Sequence, residues 1–254
     1  MLLCIDIGNT NIVLGLYEGD RLAHHWRIST DTDKMPDEYG VLLWELFAQA
    51  NVGLPDITGV ILASVVPPLT GVFEELCQAT FGRSPLVVDA GVKTGVRIRT
   101  DNPREVGADL VVAAAAVYRL YGGPACIIDF GTATKFIAVS AGGDFLGVAI
   151  APGLRISAEA LYRATAKLPR IELSRPPSAI GRNTVHSMQS GLVFGFVGLI
   201  EGLVARFREE LGDDMRVIAT GGLAPLMAAE TKAIETVDPW LTLKGLKLIW
   251  EMNR

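Results

Sequence analysis

The stretches Asp6-Ile7-Gly8-Asn9-Thr10 and Asp129-Phe130-Gly131-Thr132-Ala133-Thr134 share one pattern, an aspartate followed two residues later by glycine and then by small polar residues. Each stretch ends an apolar run that predicts a buried β-strand, and each precedes another strand-like run. A pattern that recurs in the same setting in both halves of a chain indicates a duplicated unit. The sequence therefore predicts an α/β protein of two halves, residues 1–118 and 119–254, whose mixed sheets face a central cleft.

The apolar pattern predicts a similar order of elements in both halves: a meander of three strands, then alternating helices and strands. The predicted strands cover residues 2–7, 12–17, 21–28, 60–65, 86–88, 125–130, 135–139, 144–149 and 216–219. The predicted helices cover residues 36–50, 69–81, 103–120, 154–166, 183–211 and 241–252. Because ligands of such sheets bind where loops leave the carboxyl ends of strands, we expect both aspartate loops to point into the cleft.

The bulk composition narrows the class of protein. Half of the 254 residues are hydrophobic and 27 are glycine, as in a globular protein with a buried core. A net charge of −5 argues against nucleic acid or an anionic membrane as partner. The widely spaced Cys4, Cys77 and Cys126 predict buried free thiols in a reducing compartment. The start lacks a signal peptide's basic segment, and the apolar run 191–200 ends at Glu201, too short for a membrane, so we expect a cytoplasmic protein.

The two aspartate loops have the composition of phosphate-binding loops. Phosphoryl transfer requires backbone N–H groups close to phosphate oxygens, which favours glycine, and carboxylates that manage Mg²⁺ through its waters. A single such loop is often an ordinary turn, but two copies in matching positions favour a phosphate site. A third turn, Thr220-Gly221-Gly222, is explained equally well by helix packing and by contact with adenosine. A P-loop and a dinucleotide-binding loop are both missing from the sequence.

Asp109 is a carboxylate inside an otherwise apolar helical stretch and follows Gly107-Ala108. One interpretation is an acid on a helix surface. The sharper interpretation is a general base that accepts the proton of a substrate hydroxyl.

Read together, these segments resemble the type III pantothenate kinases, which have the duplicated ribonuclease H-like fold of the actin-like ATPases. The resemblance covers nearly the whole chain and is specific through the order and spacing of its motifs, namely residues 6–11, 101–109, 129–134, 151–153, 180–184, 187–191 and 219–223. It implies ATP-dependent phosphorylation of pantothenate, the first step of coenzyme A synthesis. It also implies a cytoplasmic homodimer that requires Mg²⁺ and a monovalent cation, K⁺ or NH₄⁺.

The resemblance also implies a role for individual residues. The ATP phosphates would be held by the first loop, with Asp6 reaching Mg²⁺ through water, and by the glycine turns. Asp109 would be the proton acceptor, and Asp129 the ligand of the monovalent cation. The implied ATP contacts are Asp6, Gly8, Asn9, Thr10, Asn11, Val13, Gly131, Thr132, Gly221 and Gly222, and the implied pantothenate contacts are Gly107, Ala108, Asp109, Leu110 and Thr184.

Three positions depart from the family pattern. Leu110 stands where the family usually has an arginine that can pair with the substrate carboxylate. Lys135-Phe136-Ile137 replaces the usual Thr-x-Asp, and Thr100 stands where an aromatic residue is common. We expect Leu110 to weaken the binding of an anionic substrate or to change which substrate fits.

Lys135 suggests a specific hypothesis, because it lies close in sequence to Asp129. Its ammonium group could occupy the monovalent-cation site and remove the potassium requirement. The alternative is a lysine that points from its strand into solvent.

Three functions remain open on the sequence alone. The chain is an active pantothenate kinase, a diverged paralogue that binds nucleotide or metabolite as a regulator, or a kinase for another small alcohol. The retained Asp6, Asp109, Asp129 and Thr132 favour an enzyme, whereas Leu110 and Lys135 favour divergence.

Overall fold

The computed structural model describes residues 1–254 and contains eleven strands and seven α-helices. In chain order these are β1 Leu2–Ile7, β2 Asn11–Glu18, β3 Arg21–Ser29, α1 Pro36–Gln49, β4 Gly59–Ser64, α2 Pro67–Phe81, β5 Leu86–Val87, β6 Arg97–Ile98, α3 Ala108–Tyr121, β7 Ala125–Phe130, β8 Ala133–Val139, β9 Asp144–Pro152, α4 Leu154–Ala164, α5 Thr184–Leu211, β10 Arg216–Thr220, α6 Ala224–Ala228, β11 Thr236–Val237 and α7 Leu241–Met252. Short 3₁₀ turns lie at Leu54–Asp56 and Pro103–Glu105.

The chain divides into two compact units. Unit 1 comprises Met1–Val96, Asp101–Ala116 and Thr242–Arg254, and unit 2 comprises Arg97–Thr100 and Val117–Leu241. The predicted division at residue 118 falls inside α3, close to the point where the chain passes from unit 1 to unit 2. The units also depart from chain order, because β6 joins the sheet of unit 2 and nearly all of α7 belongs to unit 1.

The two sheets confirm the predicted duplication. The sheet of unit 1 has the order β3-β2-β1-β4-β5, and that of unit 2 has the order β11-β10-β7-β8-β9-β6. In each sheet an antiparallel meander (β1-β2-β3 or β7-β8-β9) is followed by two strands that run parallel to its first strand. Only β6, which pairs parallel with β9, has no counterpart in unit 1.

Each unit has its own apolar core. In unit 1 the buried residues of β1, β2 and β4 pack with those of α1 and α2, with Tyr39, Phe47 and Phe73 fully buried. In unit 2 the residues of β7 and β10 pack with the buried side of α5, including Leu192 and Ile200. Burial of this apolar surface is the main favourable term in folding, and it fixes the strand ends from which the loops leave.

Most predicted elements are confirmed, but the helix predicted over residues 103–120 is wrong at its start. Residues Pro103–Glu105 form a 3₁₀ turn, Val106 has extended backbone, and α3 begins only at Ala108. The break has a local cause, since the Asn102 side chain donates to Glu105 and closes a separate turn. The short β6, α6 and β11 were not predicted, because two to five residues carry too little periodicity.

Helix α5 is long and apolar enough, by length and composition alone, to cross a membrane. The apolar run 191–200 is therefore only the central part of the longer helix α5. A core helix of a globular protein passes the same test, and one side of α5 is buried in the core of unit 2. The observation is thus weak evidence for a membrane.

Candidate active site

The first aspartate loop lies at the carboxyl end of β1. Asp6 pairs with Val13 on β2 and with Ala63 on β4, and the chain reverses through residues 8–11 directly after the strand. The Gly8 amide donates to the Asn11 carbonyl at 3.0 Å, which closes the turn. Asn9, Thr10 and Asn11 are exposed, so the tip of the turn is open to a ligand.

Thr30, just after β3, holds this turn in place. Its hydroxyl donates to the Gly8 carbonyl at 2.6 Å, and its amide donates to the Thr10 carbonyl at 3.0 Å. With these carbonyls engaged, the loop is fixed before a ligand arrives, which lowers the entropy cost of binding. Thr30 was not predicted as a site residue, because a threonine distant in the sequence carries no local signal.

Asp109 lies in the first turn of α3, within the same unit as Asp6. Its Oδ1 accepts a hydrogen bond of 2.8 Å from the Leu110 amide. A Cβ at Gly107 would lie 2.7 Å from Asp109 Oδ1 and 3.3 Å from a methyl of Val65. The Val65 amide in turn donates to the carbonyl of Ile7 at 3.0 Å. The segment 107–109 therefore lies at the same end of the sheet as the first aspartate loop.

Leu110, at the position of the usual arginine, is a buried residue with only 8% of its surface exposed. What it presents to the site is its backbone amide, which orients the Asp109 carboxylate. The replacement therefore leaves this orienting contact in place while supplying no positive charge.

The second aspartate loop lies at the carboxyl end of β7 in unit 2. Asp129 pairs with Lys135 on the antiparallel strand β8 and with Thr220 on the parallel strand β10. The Lys135 Nζ atom lies 3.0 Å from Asp129 Oδ2. Through the pairing with β10, the turn that contains Gly221 leaves the sheet beside Asp129.

Glycines allow other backbone segments to pack against the loop of Gly131 and Thr132. A Cβ at Gly153 would lie 2.1 Å from the Thr132 carbonyl oxygen, and one at Gly221 would lie 2.6 Å from the Phe130 carbonyl oxygen. Gly221 also has a φ of +92°, a conformation that L side chains rarely adopt. The structure thus supports the explanation that Gly221 is needed for close packing. The close approach to Phe130 also places the turn of Gly221 beside the second aspartate loop. Gly153 was not predicted as a site residue.

Thr184 is the first residue of α5 and is exposed. The preceding Asn183 caps the helix, because its Oδ1 accepts a 2.8 Å bond from the His186 amide. The Ser187 hydroxyl donates to the Asn183 carbonyl at 2.8 Å, and the side-chain Nε2 of buried Gln189 donates to the Glu172 carbonyl at 3.0 Å. The Gln189 bond holds the segment between α4 and α5 against α5, and the other two bonds fix the start of the helix at Thr184.

Most of the predicted residues thus lie in one cluster in each unit, and Thr184, at the start of α5, is not among the contacts that define either cluster. Unit 1 brings together Asp6, the turn 8–11, Val13 and the segment 107–109, and unit 2 brings together Asp129, Lys135, the loop 131–132 and Gly221. No group of three or more His, Cys, Asp or Glu side chains is placed to hold a metal ion.

Known structures share this fold. They include a conserved Campylobacter jejuni protein assigned to the Baf family of transcriptional activators (TM-score 0.63, 17% identity, 99% of this chain and 98% of that chain). A Sinorhizobium meliloti protein assigned as a 2-dehydro-3-deoxygalactonokinase is also similar (TM-score 0.58, 14% identity, 99% and 96%). So is the activator of 2-hydroxyisocaproyl-CoA dehydratase from Clostridium difficile with bound ADPNP (TM-score 0.52, 15% identity, 99% and 96%). The fold is that of the actin-like ATPases and sugar kinases.

The family follows from sequence similarity. Residues 2–206 match the sequence model of type III pantothenate kinase. Proteins of that name from Geobacter sulfurreducens and Moorella thermoacetica are 56% and 53% identical to this chain, over 100% of each chain. The chain therefore belongs to the type III pantothenate kinase family and is a kinase.

Proposed function

We propose that the chain transfers the γ-phosphoryl group of ATP to the hydroxyl of pantothenate, giving 4′-phosphopantothenate, the first step of coenzyme A synthesis. The observation that carries this proposal is the position of Asp109. It lies beside Gly107, which packs against Val65, and Val65 is bonded to the end of β1, where the first aspartate loop begins. Family membership supplies the identity of the alcohol.

The loops hold the phosphates in this proposal. The exposed residues Asn9, Thr10 and Asn11, with Val13 at the base of the turn, are the proposed ATP contacts of unit 1, and Gly131, Thr132, Gly221 and Gly222 are those of unit 2. Glycine at these positions lets amides approach phosphate oxygens closely. Asp6 fits a hydrated Mg²⁺, since that ion binds one or two carboxylates together with substrate phosphates. When bound, Mg²⁺ neutralises charge on the transferring phosphate.

Asp109 acts as the general base. Its carboxylate accepts the hydroxyl proton of pantothenate while the new O–P bond forms and the bond between the γ-phosphorus and ADP breaks. The Leu110 amide orients this carboxylate through its hydrogen bond to Oδ1. Gly107, Ala108, Leu110 and Thr184 complete the contacts with pantothenate.

The protein acts in the cytoplasm as a homodimer that contacts its second copy through α5. Gly191, Gly195 and Gly198 are exposed, follow one another at steps of four and three residues, and have no neighbouring atom within 4 Å of an added Cβ. These steps place them on one face of the helix. Glycine inside a helix costs about 1 kcal/mol relative to alanine, so a row of glycines is explained by the close approach of another backbone.

The three buried, unpaired cysteines agree with a reducing compartment.

The deciding experiment measures ADP release with ATP, Mg²⁺ and K⁺, with and without pantothenate. We expect pantothenate-dependent release that falls by a factor of about 10²–10⁴ in Asp109→Asn, because that side chain no longer accepts a proton. The matched control is Asp101→Asn, which removes an exposed carboxylate near the same segment and should stay close to the parent. ATP binding without pantothenate-dependent release would instead support the diverged paralogue or a kinase for another alcohol.

A further inference from the structure

Lys135 and Asp129 form an ion pair across neighbouring strands. The two residues are direct partners in the antiparallel register of β7 and β8, so their side chains leave the same face of the sheet. Lys135 Nζ lies 3.0 Å from Asp129 Oδ2, within the range of a charge-assisted hydrogen bond. The pairing follows from register, since a shift of one residue would turn Lys135 to the other face.

The pair is largely sheltered from solvent. Only 17% of the Lys135 side chain and 25% of the Asp129 side chain are exposed. A lysine that pointed into solvent would expose its ammonium group, so that alternative is wrong. A sheltered ion pair is screened by salt less than a surface pair, and removing one partner leaves the other charge uncompensated.

This arrangement does not fit a monovalent metal ion at the same carboxylate. Asp129 Oδ2 is already in contact with an ammonium group, and the pair carries no net charge. A K⁺ ion at that oxygen would displace the ammonium or lie beside a like charge. An ammonium on a side chain and a monovalent cation have the same charge, but the ammonium is held at the site at any salt composition.

We infer that the Lys135 ammonium is a built-in replacement for the monovalent cation, so that phosphoryl transfer by this chain does not depend on K⁺ or NH₄⁺. The inference rests on the proposed phosphorylation of pantothenate for its activity readout only. Lys135 is a positioning residue here: it neutralises Asp129 at the base of the Gly131–Thr132 loop. A charge fixed before the substrate arrives needs no reorganisation during the reaction.

The first test compares ADP release by the unaltered protein in K⁺, NH₄⁺, Na⁺ and choline salts at equal ionic strength. We expect the rates to agree within about twofold, as for a site whose charge does not exchange with solvent. Activation of tenfold or more by K⁺ or NH₄⁺ would overturn the inference.

The second test uses Lys135→Met, which keeps an unbranched, flexible side chain, one atom shorter, and removes its charge. In choline the rate should fall at least about tenfold, and K⁺ or NH₄⁺ should restore part of it, because Asp129 is then open to an exchangeable cation. Lys135→Arg should retain activity in choline. Lys167→Met, at an exposed lysine, is the matched control and should behave as the parent. A Lys135→Met variant as active in choline as the parent would contradict the inference.

The third test does not depend on turnover. The melting temperature of the unaltered protein should be the same in K⁺ and in choline, whereas that of Lys135→Met should be higher in K⁺, by mass action on the folded state. A K⁺-dependent rise in the unaltered protein would refute the built-in cation even if the chain proved inactive. Absence of pantothenate-dependent release in every salt, with these melting results as expected, would reject the proposed function but leave Lys135 standing as the built-in cation of Asp129.

Discussion

At the scale of single residues, the two clusters are shaped by groups that take no part in chemistry. The Leu110 amide orients the Asp109 carboxylate through a hydrogen bond to one of its oxygens. The Thr30 hydroxyl holds the loop after β1 in place. Gly153 and Gly221 are important because they have no side chain. A Cβ at either position would collide with the backbone of the second aspartate loop. Small changes at such positions should therefore disturb the site as much as the loss of a charged residue.

Gly221→Ala tests this directly. The substitution places a Cβ 2.6 Å from the Phe130 carbonyl oxygen on a backbone with φ of +92°, so either the turn or β7 must move. We expect a loss of about 1–3 kcal/mol in the free energy of unfolding and weaker ATP binding. Chemical denaturation and titration with a fluorescent ATP analogue would measure the two effects.

The matched control for this prediction is Gly142→Ala, in the turn between β8 and β9. Its added Cβ would have its nearest neighbour at 3.8 Å, and its φ is not in the positive range. Equal stability and equal ATP affinity in the two variants would show that the close approach of Gly221 is unimportant.

At the scale of secondary-structure elements, the chain places its loops by repeating one arrangement of strands. The antiparallel meander aligns β1 with β2 and β7 with β8, which puts Asp6 opposite Val13 and Asp129 opposite Lys135. Helix α5 is different, because it buries one side in the core of unit 2 and leaves a face of glycines exposed. We predict that this face of glycines forms the contact between the two copies of the proposed dimer.

Gly195→Leu should convert the proposed dimer into a monomer. A leucine side chain in the middle of the glycine face prevents two helix backbones from approaching closely, although leucine favours the helix itself. Light scattering coupled to size exclusion would measure the mass of the assembly. Gly71→Leu is the control, since Gly71 is an exposed glycine of α2 that also has open space around it. A Gly195→Leu protein that remains dimeric would place the interface elsewhere.

At the scale of the whole molecule, the two halves are not contiguous in sequence. Helix α7 ends the chain but packs on the sheet of unit 1, where a Cβ at Gly59 would lie 2.3 Å from the Trp250 ring and one at Gly15 would lie 2.7 Å from a Leu243 methyl. The Lys247 ammonium donates to Asp20 at 2.7 Å, which ties α7 to the turn after β2. Unit 1 therefore cannot complete its packing until α7 has been made.

The three cysteines report on the folding of both units at once. Burial raises the pKa of the Cys77 and Cys126 thiols to about 12, and it raises the pKa of the Cys4 thiol as well. The native protein should therefore not react with a thiol reagent at pH 8, whereas the unfolded chain should expose three reactive thiols. A thiol that reacts rapidly in the native protein would contradict the burial of its strand or helix.

The same thiols predict how stability changes with pH. Above the ordinary thiol pKa of 9.0 the unfolded chain loses protons that the folded chain keeps up to a pH of about 12. Between these values the unfolded state binds fewer protons, so the free energy of unfolding falls as pH rises. Denaturant titrations at pH 8 and 10, repeated with Cys77→Ala, would measure the share of this loss that comes from one thiol.

The sequence predicted the long elements and the duplication well, because strand and helix periods extend over many residues in β7 or α5. It also located both aspartate loops, since their composition is local and repeated. It failed at the start of α3, where a side-chain bond between Asn102 and Glu105 decides against the helix. It missed Thr30 and Gly153, because both act on residues distant in the sequence.

By itself, the sequence determined the class of fold, the family and the identity of the polar residues at the strand ends. These properties depend on short-range patterns and on the types of residue present. Only the tertiary structure decided that Lys135 turns toward Asp129, that Leu110 is buried and that α7 completes unit 1. The physical reason is that strand register, burial and close backbone contacts depend on which distant segments meet, and the packing of the whole chain sets that.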